Sequence, residues 1–422
     1  MEKTYYPALD ETVYRHTLTN GLPMAVIHRP GFTKKLMYFV TDYGSIHTSY
    51  AINGKAAQAP DGVAHFLEHK LFDMPGRDIT AEFAALGASP NAFTGYDMTA
   101  YYVSCTENFP ECLKLLLEFV SQPHFTAESV EKEQGIIGQE IAMNADNPDT
   151  RIFENLMTAM YRSHPVSHPI LGTEDSISQI TPEILYECHR AFYAPHNMYL
   201  CIMGDVDPVQ AAAIAEATLP KGPFPQATPC RQWQEDMTCV QPSVTDTMEV
   251  AMPMFQLGFK CEPLGKGLAA VRQEYIGDLA AELLFGESSQ LYLKLYEEGR
   301  IDSSFGGGLE TIEGMCMLSA SGDSDDPEGV KDAILDYAAR VLETGISPEA
   351  LLRMKRSAMG RRLLALDSFD STCFRSCAYH FSDFDYFTFP QVYEAITEQD
   401  LLDFIMRTVT PSRCCLSVIL PN

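Results

Sequence analysis

The stretch GVAHFLEHKLF, residues 62–72, carries two histidines and a glutamate within five positions. His65 and His69 are four residues apart, so on a helix both imidazole rings leave the same face, one turn apart. That geometry lets two ring nitrogens reach one zinc ion at about 2.0–2.1 Å. Glu68 lies beside them, where its carboxylate is placed to accept a proton from a water molecule at the metal. The order H-x-x-E-H reverses the H-E-x-x-H of many zinc peptidases.

The same spacing also arises by chance on surface helices, so its context decides between a metal site and an ordinary helix. Apolar residues surround the three polar ones, at positions 64, 66, 67, 71 and 72. We therefore predict a mostly buried helix, in which two histidines and a glutamate are costly without a ligand. Because a catalytic zinc usually has three protein ligands and a water molecule, a third ligand must come from elsewhere in the chain.

A second predicted helix, VEKEQGIIGQEIAM (residues 130–143), offers two carboxylates for that role. Glu133 and Glu140 are seven residues apart and therefore lie on one stripe of the helix. Apolar neighbours predict that this stripe faces the interior: Ile136, Ile137 and Ile141. Buried carboxylates need partners, and metal coordination by one glutamate with a supporting hydrogen bond from the other would provide them.

Length, charge and cysteine usage describe a globular protein of more than one domain. The chain has 422 residues, with 57 Asp and Glu against 30 Lys and Arg, for a net charge of −27. That balance disfavours nucleic acid or an anionic membrane as a partner. No secretory signal and no membrane-spanning run of about 20 apolar residues is visible.

The 12 cysteines form no C-x-x-C pair. Several lie in apolar runs (Cys105, Cys201 and Cys415), so we expect buried thiols in a reducing compartment, the cytoplasm.

The order of predicted elements repeats between the two halves of the chain. Each half runs from strands through helices and a hairpin to further helices and a closing apolar strand, which favours two similar α+β domains. Each is expected to be a mixed, mainly antiparallel sheet with helices packed on it. We predict an N-terminal metal-binding domain over residues 1–222, a Pro-rich linker over 223–245, and a C-terminal domain without metal over 246–422. The glycines at 306–308 are interpreted as a turn, and the basic stretch at 355–362 as a solvated helix face.

Three motifs in order, DGVAHFLEHKLF, ASPNAFTGYDMTAYYV and VEKEQGIIGQEI, resemble the pitrilysin/insulinase family of inverted-zincin metallopeptidases. The chain looks most like the half-length bacterial type, including the group labelled as elongation factor P modification-associated. The resemblance implies one zinc ion held by His65, His69 and Glu140. It implies Glu68 as the general base and Glu133 as a supporting acid in the catalytic machinery.

The resemblance also implies where a peptide substrate binds. PNAFT matches the edge strand to which an extended peptide adds as a further strand, so backbone groups of Asn91, Ala92 and Phe93 would bind substrate main chain. Without the resemblance, the residues favour a simpler interpretation, with Asn91 as a turn residue and Phe93 as a core residue.

Family members enclose peptides between two halves that close like a clam shell, and a full chamber needs four such domains. This chain has two, so the resemblance implies a homo- or heterodimer with a half-length paralogue. The distal half of self-sufficient members supplies an Arg and a Tyr that stabilise the oxyanion. Here Tyr296 and Ser303 stand in those places, and Arg300 lies four residues from the expected Arg.

The expected function is therefore a zinc-dependent endopeptidase or oligopeptidase that cleaves unfolded peptides. Two alternatives stay open at this point. One is a catalytically silent structural or peptide-binding subunit of a processing complex, and the other is a peptide binder with a structural zinc.

Overall fold

The computed structural model describes residues 1–231 and 233–422 and divides into two compact units. Unit 1 consists of Met1–Ile141, Pro169–Cys230 and Leu363–Thr388. Unit 2 consists of Ala142–His168, Arg231–Arg362 and Phe389–Asn422. Each unit is thus assembled from three separate segments, whereas the predicted domain ranges are continuous stretches of chain.

The secondary structure contains strands and helices in both halves of the chain. The strands are β1 (Glu2–Tyr6), β2 (Glu11–Thr17), β3 (Pro23–His28), β4 (Lys35–Thr41), β5 (Ser49–Ile52), β6 (Lys55–Gln58), β7 (Asp73–Met74), β8 (Arg77–Asp78), β9 (Ser89–Thr94), β10 (Thr99–Cys105), β11 (Met198–Gly204), β12 (Ala227–Pro229), β13 (Ser243–Met248), β14 (Met254–Lys260), β15 (Gly306–Ile312), β16 (Met315–Asp323) and β17 (Cys414–Pro421). The helices are α1 (Val63–Leu71), α2 (Ile79–Ala85), α3 (Phe109–Ser121), α4 (Ala127–Ala145), α5 (Pro148–Met160), α6 (Glu174–Ile177), α7 (Pro182–Phe192), α8 (Pro208–Thr218), α9 (Leu268–Phe285), α10 (Gln290–Glu297), α11 (Pro327–Thr344), α12 (Pro348–Ala365), α13 (Phe369–Phe381), α14 (Phe389–Glu394) and α15 (Glu398–Thr408).

Unit 1 is built on a seven-stranded sheet in the order β1-β2-β3-β11-β4-β10-β9. Only β3 and β11 pair in parallel; the other neighbours are antiparallel. The central strand β11 is buried along its whole length, which requires cover on both faces. One face packs into the main hydrophobic cluster through Leu200 and Ile202, together with residues of α1 and α3. This sheet leaves β9 as a free edge.

Helix α13 covers the opposite face of that sheet, although it comes from the C-terminal half of the chain. The ring of His380 stacks on that of Tyr199 in β11, with centroids 3.9 Å apart. The helix begins at a Ser368 cap and buries Cys373 and Cys377, one turn apart, against the sheet. No element was predicted for these residues. Serine, threonine and cysteine fill the buried stripe of this helix, so its apolar periodicity is weak.

Unit 2 contains a five-stranded sheet in the order β13-β17-β14-β16-β15. Residues 247–259 span parts of two strands, β13 and β14, which lie on either side of β17. The turn predicted at the glycines was wrong, since Gly306, Gly307 and Gly308 open the edge strand β15. A Cβ on Gly307 would collide with the carbonyl oxygen of Ser319 on β16, so this close strand pairing requires glycine.

Two-domain α+β architecture is confirmed, and the buried thiols are too: all twelve cysteines are free and ten are buried. The solvated face predicted at 355–362 was wrong for Arg362, which is buried. Its guanidinium lies 4.0 Å from the Tyr275 ring centroid and donates to Asp278 at 3.0 Å and to the Tyr393 hydroxyl at 2.8 Å. These partners offset the cost of burying the charge. None of the helices in the described part of the chain has both the length and the apolar character needed to cross a membrane.

Buried His189 on α7 should make unit 1 sensitive to acid. Its Nε2 donates to the Val120 carbonyl at 2.9 Å, and burial lowers the pKa of His189 from 6.5 to about 4. The unfolded chain binds this proton more readily, so the stabilisation is present above pH 6.5 and lost as pH falls towards 4. We expect His189→Gln to remove up to about 3 kcal/mol of that acid dependence, measured by denaturant unfolding between pH 7 and 4.

The matched control is His124→Gln, because His124 is exposed. Identical acid dependence of the unfolding free energy in His189→Gln and wild type would contradict the prediction.

Candidate metal centre

Helix α1 presents the H-x-x-E-H residues from within the core of unit 1. It starts after Gly62, which has a left-handed φ of 88°, and a Cβ there would collide with the carbonyl oxygen of Leu171. Phe66 and Leu67 are fully buried, and His65 is only 7% exposed. The prediction of a mostly buried helix is confirmed.

The side chains of His65, His69 and Glu140 converge on one point. One ligand atom from each lies within 4.8 Å of the other two. The Oε2 atom of Glu140 is 3.7 Å from His65 Nε2 and 3.6 Å from His69 Nε2. Two ligands at about 2.0–2.1 Å from a tetrahedral zinc ion are about 3.4 Å apart, so these spacings fit one zinc ion held by all three residues.

The protonation of His65 also suits metal binding. His65 is buried and its pKa is lowered to about 3, first by desolvation and then by His69, so its imidazole is neutral. Its Nδ1 has no hydrogen-bond partner among the described residues. Its Nε2 is the ring nitrogen that faces Glu140. Neutral imidazole is the form that ligates zinc.

Glu133 lies behind His69 rather than beside Glu140. Its Oε1 is 3.0 Å from His69 Nδ1, and this hydrogen bond is the main cause of a raised pKa at His69. A carboxylate there holds the proton on Nδ1 and leaves the Nε2 lone pair for a metal. Glu140 therefore faces the Nε2 atoms of the two histidines, and Glu133 makes the supporting hydrogen bond to His69. The sequence had left open which glutamate takes which role.

The interior stripe of α4 is narrower than predicted. Ile137 is buried at 1% exposure and Ile141 packs against the core, whereas Ile136 is 44% exposed. Consecutive helical residues are about 100° apart, so Ile136 turns away when Ile137 faces inward. Its assignment to the interior was wrong.

Glu68 is held by a residue that the sequence analysis missed. Its Oε2 accepts a hydrogen bond of 2.6 Å from the hydroxyl of Thr94, the last residue of β9. Burial raises the pKa of Glu68 above 4.5, and the Thr94 hydrogen bond offsets part of that rise. The available signal was strand alternation, which puts Thr94 on the same face as Ala92, two residues earlier.

The predicted substrate-binding residues lie on the edge strand β9. Asn91 is inside this strand, opposite Tyr102, so its interpretation as a turn residue was wrong. Ala92 packs towards the core side, while Phe93 lies on the other face with its ring 5.8 Å from that of Phe374 on α13. The Ala92 N–H donates to the Asn91 side chain at 2.9 Å. The backbone of the three residues runs along the sheet edge, and their side chains point to different faces.

The residues considered for oxyanion stabilisation lie in unit 2. Tyr296 on α10 is 53% exposed and its ring stacks on that of Tyr292. Ser303 is exposed in the loop before β15. The Arg300 guanidinium is engaged by two carboxylates, Asp326 at 3.2 Å and Glu298 at 3.7 Å.

Comparison with known proteins places the sequence in a family. The model described as Insulinase (Peptidase family M16) matches residues 53–174, and the model described as Peptidase M16 inactive domain matches residues 179–358. An uncharacterized zinc protease of Bacillus subtilis strain 168, YmfH, is 36% identical over 422 residues, covering 99% of this chain and 98% of that protein. Another from the same organism, YmxG, is 24% identical and covers 86% and 87%.

Solved structures agree with these sequence matches. A crystal structure from Alicyclobacillus acidocaldarius, described as M16-like, superposes with a TM-score of 0.94 at 32% identity and covers 98% of this chain and 99% of that one. A Helicobacter pylori protease has a TM-score of 0.83 at 18% identity over 97% and 99%, which shows a shared fold. The predicted family is thereby confirmed: the chain belongs to the insulinase family, peptidase family M16.

Proposed function

We propose that this chain is the zinc-bearing subunit of a peptidase that cleaves unfolded peptides as an endopeptidase or oligopeptidase. The observation that carries the proposal is the convergence of His65 Nε2, His69 Nε2 and Glu140 Oε2 next to Glu68 on the same helix. Membership of a family of zinc proteases supports the reaction class. A complete ligand set supports an enzyme over a silent structural subunit, which has no need to keep one.

Each residue of the site has a defined part in peptide hydrolysis. Zinc, when bound by His65, His69 and Glu140, would supply the Lewis acid that polarises the scissile carbonyl and activates water. Glu68 accepts the proton of the attacking water and delivers it to the leaving amine. Because burial raises its pKa, Glu68 needs a pH above that raised value to be ionised and act as a base. Glu133 keeps His69 in the orientation that presents Nε2.

The edge strand β9 provides a site for an extended peptide. No strand of the described sheet pairs with its outer side, so a substrate can add there through main-chain hydrogen bonds. Such binding depends little on sequence and requires an unfolded segment. We expect cleavage of varied peptides and no cleavage of folded proteins.

A second, half-length chain completes the proposed enzyme. Tyr296 cannot supply the positive charge, and Ser303 cannot supply the phenol, that the resemblance assigns to their positions. Arg300 lies four residues from the expected Arg. A second copy of this chain has the same deficit, so a paralogue carrying the Arg and Tyr fits better than a homodimer. The free, mostly buried thiols support a reducing, cytoplasmic location.

The role of Glu68 is tested by Glu68→Gln. Removing the base while keeping its shape should lower the cleavage of a quenched fluorescent peptide by about 10²–10⁴-fold and leave bound zinc unchanged by metal analysis. Glu131→Gln, an exposed change on α4, is the control and should cleave like wild type. If wild type binds zinc but cleaves nothing, alone or with its partner, the peptide-binding alternative is favoured.

The role of Glu133 is tested on zinc affinity alone. We expect Glu133→Gln to bind zinc about 10–100-fold more weakly, because the neutral amide no longer holds the Nδ1 proton of His69. Competition with a chromophoric chelator measures this without any substrate. Unchanged affinity relative to Glu131→Gln would remove Glu133 from the metal centre.

The partner requirement is tested by purifying this chain by itself. We expect it to bind zinc and to turn over peptides slowly until a paralogue with the Arg and Tyr is added, because oxyanion stabilisation commonly contributes about 10²–10³-fold in kcat. Steady-state cleavage rates with and without the second chain measure the gain. Full turnover by the isolated chain would sink the heterodimer proposal.

A further inference from the structure

We infer that Thr94 is a positioning residue whose hydroxyl orients the carboxylate of Glu68. The strand β9, with which a peptide would pair, thereby also orients the general base. The inference rests on the proposed function and names a residue to which that proposal gave no part. The contact that carries it is the 2.6 Å hydrogen bond from Thr94 Oγ1 to Glu68 Oε2.

The register of the hairpin explains why Thr94 reaches α1. Thr94 is paired with Thr99 and Ala92 with Tyr101, and alternate residues of a strand share a face. Tyr101 and Ala92 pack in the cluster that contains the buried side of α1, so the Thr94 side chain points to the same side. Phe93, between them, points towards α13. A shift of one residue in the register would turn Thr94 away from Glu68.

The chemistry of this hydrogen bond suits a base that must stay reactive. A separation of 2.6 Å lies in the range of an O–H donor to an ionised carboxylate. A single donor to Oε2 leaves Oε1 of Glu68 able to accept a proton. Threonine is neutral, so it fixes the carboxylate without forming an ion pair with it. Its branched Cβ restricts χ1, which makes it a stiff support on a strand.

This arrangement links substrate binding to the base through one short strand. A peptide that pairs with the open edge of β9 holds the strand whose final residue carries the donor to Glu68. The hydroxyl faces the metal side and not the backbone edge where the peptide would pair. Its loss should therefore affect the chemical step and leave peptide binding nearly unchanged.

Kinetics of three variants of the zinc-loaded protein, with its partner chain, test the inference. Thr94→Val removes the donor and keeps the branched shape, so we expect kcat to fall about 10–100-fold with KM within about twofold. Thr94→Ser keeps the donor and should return kcat to within about threefold of wild type. Thr99→Val is the matched control on the same hairpin, because its hydroxyl donates to the Tyr43 carbonyl at 2.9 Å. It should keep wild-type kcat even if it lowers the melting temperature.

Two kinetic outcomes would overturn the inference. A rise in KM with unchanged kcat in Thr94→Val would show that the hydroxyl binds the peptide and does not orient Glu68. Equal losses in Thr94→Ser and Thr94→Val would show that keeping the hydroxyl does not preserve kcat, and would attribute the loss to disturbed packing instead.

A second measurement needs no activity and separates this inference from the proposed function. Melting temperatures of the zinc-free chain are compared for Thr94→Val, Glu68→Ala and the double variant. We expect the shift caused by Thr94→Val to change clearly when Glu68 is replaced. Additive shifts would mean that no such contact exists and would overturn the inference. Absence of cleavage by wild type would end the proposed function, while non-additive shifts would still support the positioning of Glu68 by Thr94.

Discussion

The convergence of two imidazole nitrogens on one carboxylate oxygen is the constraint on which unit 1 depends. His65 and His69 occupy a helix that is otherwise packed in the core, and Glu140 reaches them from another helix. Burying these groups costs free energy, since neither a neutral imidazole nor a carboxylate regains inside the protein what it loses in water. A zinc ion bound there would offset that cost. The three atoms meet only if the positions of α1 and α4 relative to each other are closely fixed.

The two faces of the sheet in unit 1 contact different elements. Helices α1 and α4 and the Thr94 hydroxyl lie on the metal side, while α13 covers the opposite side with Tyr199 and Phe93 beneath it. A strand sandwiched in this way can shift little, because packed interiors resist displacement of even a methylene group. Cover by α13 therefore restrains the sheet from the side opposite the candidate metal centre, and among the described contacts it touches none of the candidate ligands.

The candidate metal ligands could be predicted from the sequence because they depend on spacing within single helices. Four residues separate His65 from His69 and seven separate Glu133 from Glu140, and a helix converts both separations into a shared face. The hairpin of β9 and β10 also follows from local sequence signals, since Gly95 lies in the turn between two strands. Choosing between the two glutamates needed the family resemblance, and the geometry then gave each its partner.

What the sequence could not predict depends on contacts between distant segments. Helix α13 lacks a strong apolar stripe, and its buried cysteines gain their meaning only from a sheet formed by the other half of the chain. Arg362 looks like a surface residue until Tyr275, Asp278 and Tyr393 surround it. Thr94 has its role only because the hairpin register turns it towards Glu68. Local periodicity can place Thr94 on one face of its strand, but it does not identify any of these partners.

The position of Arg300, and not the strength of its ion pairs, is what bears on the proposed need for a second chain. Its ion pairs with Asp326 and Glu298 are partly exposed, and such pairs contribute only about 0–1 kcal/mol each. Breaking them would cost little compared with the roughly 2.7–4 kcal/mol that one oxyanion donor can contribute. The obstacle is position, because Tyr296 lies on α10, which ends at Glu297, whereas Arg300 follows the helix after the left-handed Gly299. Arg300 therefore does not occupy the position that the resemblance assigns to the Arg, which is the reason for proposing a second chain.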